Sequence, residues 1–198
     1  MRFSGYKITS AAETAIITIA EMSEYLNYAS SSDLTTTENT LLTQMIAAAT
    51  ELIEIMTNRS FINRIAVQTY EGFVDDDDLE ILAPPLSSVT SIKYFDANNE
   101  EQTLSSDYYV VDTISQPGSI RILHDYDFPS TYDGSKVTVT HVAGFGATVD
   151  LVPAAAKILC KMIVADNWEH RESQSELKLQ DNATTKALWS SLKIKDIY

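Results

Sequence analysis

Apolar residues fall at helical spacing in two blocks of the chain and at strand spacing between them. From Glu38 to Asn58, Leu41, Leu42, Met45, Ile46, Ala49, Leu52, Ile53 and Met56 form one stripe of period 3.6, with Glu51 and Glu54 on its flank. Thr35-Thr36-Thr37-Glu38 before the stripe is a capping-box pattern, in which a threonine and a glutamate three residues on satisfy each other's backbone N–H. Asn58 suits the left-handed residue that ends a helix, and Arg59 suits the negative helix end. Pro153 opens the second block, because proline is tolerated in a first helical turn. Ala154 to Ala165 are almost all apolar, broken by Lys157 and Lys161, so that helix has one narrow wet face. Trp168 continues it and Glu169-His170-Arg171-Glu172 ends it. Two wide apolar faces predict that these helices pack on each other, with Leu52 among the core residues. A ligand groove lined by the methionine and isoleucine stripe is the alternative to core packing.

A shorter helix is predicted after the capping box Thr18-Ile19-Ala20-Glu21, with Met22, Tyr25 and Leu26 on one face and Ser30-Ser31-Ser32-Asp33 breaking it. Residues 1–17 carry no firm periodicity and read as an extended arm. Between the long helices the pattern changes. Phe61 to Phe73, Leu79 to Leu82, Val89 to Phe95, Tyr108 to Val111, Ser119 to Leu123 and Val137 to Val142 read as strands. Pro84-Pro85, Asp96-Ala97-Asn98-Asn99 and Pro117-Gly118 supply the turns.

The prediction is an α+β fold. A short helix, a long helix over about 38–58 and another over about 153–172 make a small helical core, and an antiparallel β-rich insert spans about 61–143. The chain divides into an arm (1–17), a helical part (18–60), a β-rich insert (61–146), a returning helix (147–172) and a C-terminal tail (173–198). The tail begins polar and ends in an apolar cluster: Leu188, Trp189, Leu192, Ile194, Ile197 and Tyr198.

Composition adds bounds. With 198 residues the chain is long enough to bury a substantial core. Its single cysteine, Cys160, lies in the apolar helix and reads as a buried, inert thiol. No apolar run reaches the roughly 20 residues that span a bilayer, and the run Ala15 to Ala20 is too short for a secretory signal. The formal net charge of −14 opposes wrapping nucleic acid on an exposed surface. It is compatible with a protein that surrounds DNA without gripping it.

Candidate chemistry is sparse. Asp75, Asp76, Asp77 and Asp78 invite a calcium reading, but a calcium loop needs alternating ligands, a turn glycine and a distant bidentate acid. A solvated turn fits better. Gly144-Phe145-Gly146 sits where a strand meets a helix, yet no third glycine and no following lysine complete a phosphate-binding loop. These glycines read as a sharp sheet-to-helix turn. His124, His141 and His170 lie far apart; His124-Asp125-Tyr126-Asp127 is at most half a metal site, and His170-Arg171-Glu172 lacks a histidine pair at i, i+4. Catalytic, metal and cofactor sites are therefore expected to be absent. The alternative, a hydrolase or metal enzyme with a dispersed site, rests on the fact that triads form in space.

Several segments, in order, resemble the head–tail connector (adaptor, head completion) proteins of long-tailed bacteriophages, in the subgroup with a β-rich insert between helices. They are Ile17-Thr18-Ile19-Ala20-Glu21-Met22-Ser23-Glu24-Tyr25-Leu26, then Ala47-Ala48-Ala49, Ile53-Glu54 and Thr57-Asn58-Arg59 within 42–61. The most specific is Leu82-Ala83-Pro84-Pro85-Leu86-Ser87-Ser88-Val89-Thr90-Ser91-Ile92-Lys93-Tyr94. Tyr108-Tyr109-Val110-Val111-Asp112, Pro117-Gly118-Ser119-Ile120-Arg121, Val137 to Gly146 and the Pro153 helix follow. The resemblance covers residues 16–172 and replaces the usual glycine of the first long helix by Asn58. It implies a virion protein, made in the host cytoplasm and located in the neck. It implies a ring of twelve beneath the portal protein, joined to a neck or tail protein, with DNA passing through unbound and no membrane contact. A different neck or tail-completion protein is the nearer alternative. By the same analogy Leu188, Trp189, Leu192, Ile194 and Tyr198 would meet the portal or a neighbouring subunit, intramolecular docking being the alternative. Asp75 to Asp78 are candidates for an acidic channel wall.

Overall fold

The structure, a computed structural model, describes residues 3–10, 12, 14–73, 78–123, 126–127, 129–132, 134–170 and 183–194. It is α+β, with four α-helices and eight strands among those residues. Two compact units emerge: a helical one from Thr14–Ile62 with Gly146–Asp196, and a sheet one from Met1–Glu13 with Asn63–Phe145.

The helical unit holds α1 (Ile19–Tyr25), α2 (Thr36–Thr57), α3 (Ala154–Glu169) and α4 (Ala183–Leu192). Both predicted capping boxes form. Thr18 accepts from the Glu21 N–H at 3.1 Å and Thr35 from the Glu38 N–H at 3.2 Å, while each glutamate accepts the cap N–H at 2.8 Å. Asn58 takes the left-handed conformation at φ 54°, ending α2 as its short polar side chain allows. In α1, Met22 is buried but Tyr25 is exposed, so that helix offers the core less than its pattern predicts.

Helix α2 packs on α3, as the two stripes predict. Leu42, Ile46, Ala49, Ile53 and Thr57 line the buried side of α2; Ala156, Leu159, Cys160, Ile163 and Val164 line that of α3. Burial pushes the Cys160 thiol up to about 12, against smaller opposite effects from Thr50 and Lys161, which leaves it inert at neutral pH. The expectation for Leu52 is corrected: it is 45% exposed, and Met56 is 44% exposed. Eight apolar positions over four turns span a wider arc than one helix contact covers. The outer part of the stripe stays open.

The sheet unit has a five-stranded sheet in the order β1-β2-β8-β4-β5 and a three-stranded sheet in the order β3-β7-β6. The strands are β1 (Phe3–Ile8), β2 (Arg64–Tyr70), β3 (Leu79–Ile81), β4 (Leu86–Phe95), β5 (Glu101–Thr103), β6 (Tyr109–Asp112), β7 (Gly118–Ile122) and β8 (Val137–Ala143). Every pairing between them is antiparallel. Phe3–Ile8, within the segment read as an arm, is instead an edge strand on β2, with an irregularity between Phe3 and Gly5. That bulge breaks the period-2 pattern and hides the strand from the sequence. Asp96 closes the β4–β5 turn by accepting from the Asn98 N–H (2.9 Å) and the Glu100 N–H (3.0 Å).

Tyr70, Leu79, Ile81, Leu86, Ile92, Leu104, Ile120, Val137 and Val139 form the core of this unit, drawn from both sheets. Buried Gln68 ties β2 to the segment around β3. Its amide donates to the Tyr70 hydroxyl (2.8 Å) and the Glu80 carbonyl (2.9 Å), and its carbonyl accepts from the Leu82 N–H (2.9 Å). All of its groups thus find partners, as a buried amide requires. Gly118 of β7 lies tight against β4 of the other sheet: a Cβ there would stand 2.6 Å from Leu86 Cβ and 2.9 Å from the Asp112 carbonyl. Neither neighbour is a flexible side-chain end. Gly118→Ala is therefore expected to destabilise the protein by about 1–3 kcal/mol, the usual cost of overpacking, read as a lower urea midpoint.

Candidate interaction surfaces

The C-terminal apolar cluster divides once its geometry is considered. Leu192 and Ile194 are buried, at 5% and 8% exposure, with α4 packed on α3. Arg59 Nε donates to the Leu192 carbonyl at 2.6 Å, and the Ile194 N–H reaches the Thr57 carbonyl at 3.5 Å. The end of α2 and the end of α4 are thereby joined, and these two side chains serve their own chain. Leu192 and Ile194 thus pack within their own chain, the intramolecular docking that stood as the alternative to a partner contact. Leu188 and Trp189 are half-buried and keep accessible surface. Tyr198 and Ile197 lie outside the described residues.

Of the acidic run, Asp75, Asp76 and Asp77 lie outside the described residues. Asp78 precedes β3 and is gripped by Arg121 of β7, Nε to Oδ1 at 2.8 Å and Nη2 to Oδ2 at 2.6 Å. This two-pronged hydrogen bond holds the Asp78 carboxyl below its usual range, against the opposing pull of burial. Its charge is matched by Arg121 within the three-stranded sheet.

Gly144 and Gly146 resolve as parts of a turn. Gly144 sits at φ 142° and donates to the Pro85 carbonyl at 2.9 Å. Gly146 bridges to Ile62, and a Cβ there would stand 2.1 Å from Leu151 Cδ1. Gly144 takes a backbone conformation that side chains disfavour and Gly146 marks a close approach, as the turn reading predicts. His124 and Asp125 lie outside the described residues, as do Arg171 and Glu172. His170 Nδ1 faces its own turn, 3.5 Å from an Asp166 carboxylate oxygen. Among the described residues no three His, Cys, Asp or Glu side chains converge as metal ligands. Among them, too, no helix is long and apolar enough to cross a membrane.

His141 on β8 is fully buried, its ring 6.2 Å from the Tyr6 ring on β1. Burial pushes it down to about 4, against a smaller upward effect from the Val139 backbone. Sequence spacing singled it out only as too far from other histidines to bind metal. The exposed apolar surface of α2 was also missed. Its signal was present as a second set of apolar residues offset from the buried ones: Leu41, Met45, Ala48, Leu52 and Ile55.

A family model described as head completion protein matches residues 15–195. The chain belongs to that family. This head completion protein has a structural role at the head–tail connection of a virion. No curated protein matches the sequence. Solved chains share its fold. One, from the virion of a native gene transfer agent particle, is 18% identical, with a TM-score of 0.79 over 98% of this chain and 97% of the other. A second, from the neck of an empty gene transfer agent particle computed with C6 symmetry, is 17% identical with a TM-score of 0.79 over 98% of both chains. A third, from the neck of the native particle computed with C12 symmetry, is 18% identical with a TM-score of 0.72 over 98% of both. The likeness covers the helical and sheet units together.

Proposed function

We propose that this head completion protein is the adaptor of a head–tail connector. In this reading a ring of twelve copies docks beneath the portal protein of a DNA-filled head and offers a platform to the next neck or tail protein. The observation that carries the reading is the extent of the family match. It runs from residue 15 to residue 195 and so takes in both the helices and the inserted sheets. The necks of the gene transfer agent particles, computed with C6 and C12 symmetry, support a cyclic assembly. The protein acts as a structural part and not as a catalyst, and its place is the neck of the virion. Half-buried Leu188 and Trp189 are the tail residues best placed to meet the portal or a neighbouring copy.

The charge fits this role. Twelve copies at −14 each bring strong self-repulsion, greatest at low salt where screening is weakest. The free protein is then a monomer in dilute solution and closes its ring on the portal. An acidic channel wall, with Asp75, Asp76 and Asp77 as candidates, lets DNA pass without a contact that salt would have to release. The test adds purified protein to portal-bearing heads that lack it, with cryo-EM of the vertex and sedimentation of the free protein across a salt series. The expected result is a monomer at low salt and a ring of twelve under the portal. A ring seated elsewhere in the neck would assign the chain to another neck or tail-completion role. A stable free ring at low salt and micromolar protein would remove the need for a portal template.

A further inference from the structure

Among the described residues, the second apolar row of α2 stays largely open. At about 100° per residue, Leu41, Met45, Ala48, Leu52, Ile55 and Met56 lie on one arc, about 100° round the helix from the buried row Leu42, Ile46, Ala49 and Ile53. Leu41 and Met45 are half-buried, and the arc opens toward the helix end, where Leu52 is 45%, Ile55 65% and Met56 44% exposed. Leu41, Met45, Ala48, Leu52 and Ile55 alternate steps of four and three residues, the spacing with which one helix receives another. No charged residue falls on the arc between Leu41 and Met56; Glu51 borders it beside Ile55, while Glu54 lies on the far side of the helix and accepts from the Phe61 N–H at 3.1 Å.

We infer that this seam is the contact through which one copy of the chain binds the next copy in its ring. The inference rests on the proposed ring and names the surface that builds it. Two arguments select a second copy as the occupant. Cyclic assembly needs a head-to-tail contact between two different faces of identical chains. Copies that each carry −14 repel wherever acidic surfaces meet, and like charges brought together cost several kcal/mol. A charge-free apolar strip at least four turns long lets two such chains approach, and Ala48 at its centre leaves room for the neighbour's backbone.

The test uses the full chain and portal-bearing heads. Ile55→Cys labelled with a benzophenone maleimide places a photo-crosslinker on the seam, since Cys160 is buried and its thiol is pushed up to about 12. On irradiation of assembled heads the expected product is a covalent pair of two copies of this chain, joined at a face of the partner other than its own α2 seam. A product joined only to the portal or to a neck protein would overturn the inference. In parallel, Leu52→Glu with Ile55→Glu is expected to keep the wild-type unfolding midpoint while losing at least tenfold in incorporation into heads. Unimpaired incorporation of that variant beside a wild-type ring overturns the seam and leaves the adaptor reading intact. A wild-type chain that never joins heads overturns the ring and the seam together.

Discussion

Ile53→Ala destabilises the protein by about 2–5 kcal/mol, whereas Leu52→Ala, one position earlier, costs less than about 1 kcal/mol. Ile53 is fully buried on the side of α2 that packs against α3. Removing its outer carbons loses their transfer from water and leaves a cavity that two stiff helices cannot close. Leu52 faces outward, and its side chain is nearly half solvated already. Chemical denaturation with both variants measures the difference directly. Equal costs would mean that the outer row is covered in the free monomer, and they would remove the surface on which the copy-to-copy contact depends.

The pair Leu52 and Ile53 also shows what was legible in the sequence. Helix existence, both capping boxes, the left-handed Asn58 and the pairing of α2 with α3 follow from local chemistry and from the need to cover apolar faces. How much of a wide stripe is covered depends on how many neighbours a helix has, and periodicity carries no information about that. The same limit applies to α4. Leu188, Trp189, Leu192 and Ile194 form one apolar cluster in sequence, and only packing divides it into a buried end held by Arg59 and a half-open start. Strand positions were read well wherever alternation was clean, as in β8. Strand β1 escaped because a bulge near Gly5 disturbs the alternation and because its partner, β2, lies some sixty residues on. The division of the strands into two sheets escaped as well. Gly118 makes it possible by allowing β7 to approach Leu86, and a glycine after a proline reads in the sequence only as a turn.

Lowering the pH from about 6.5 to about 4 is expected to remove roughly 3 kcal/mol of stability through His141 alone. The group is pushed down from 6.5 to about 4 by burial in the five-stranded sheet. The folded state therefore favours the neutral ring, and between those two values the unfolded chain binds the extra proton. Stability from this source is complete above about 6.5 and is lost as the pH falls through about 4. The ring has little help in carrying a charge: Ala66 and Val89 are its register partners on β2 and β4, and the Tyr6 ring lies 6.2 Å away. The carboxylates of Asp78, Asp96 and Asp112, held low mainly by the hydrogen bonds they accept, act with the same sign but at lower pH. The window from 6.5 to 4 thus isolates the histidine from these three. Urea unfolding of wild type and His141→Leu at half-unit pH steps provides the measurement. The variant should lose most of the slope in that window. An identical slope in both proteins would show that the burial of His141 does not govern acid stability.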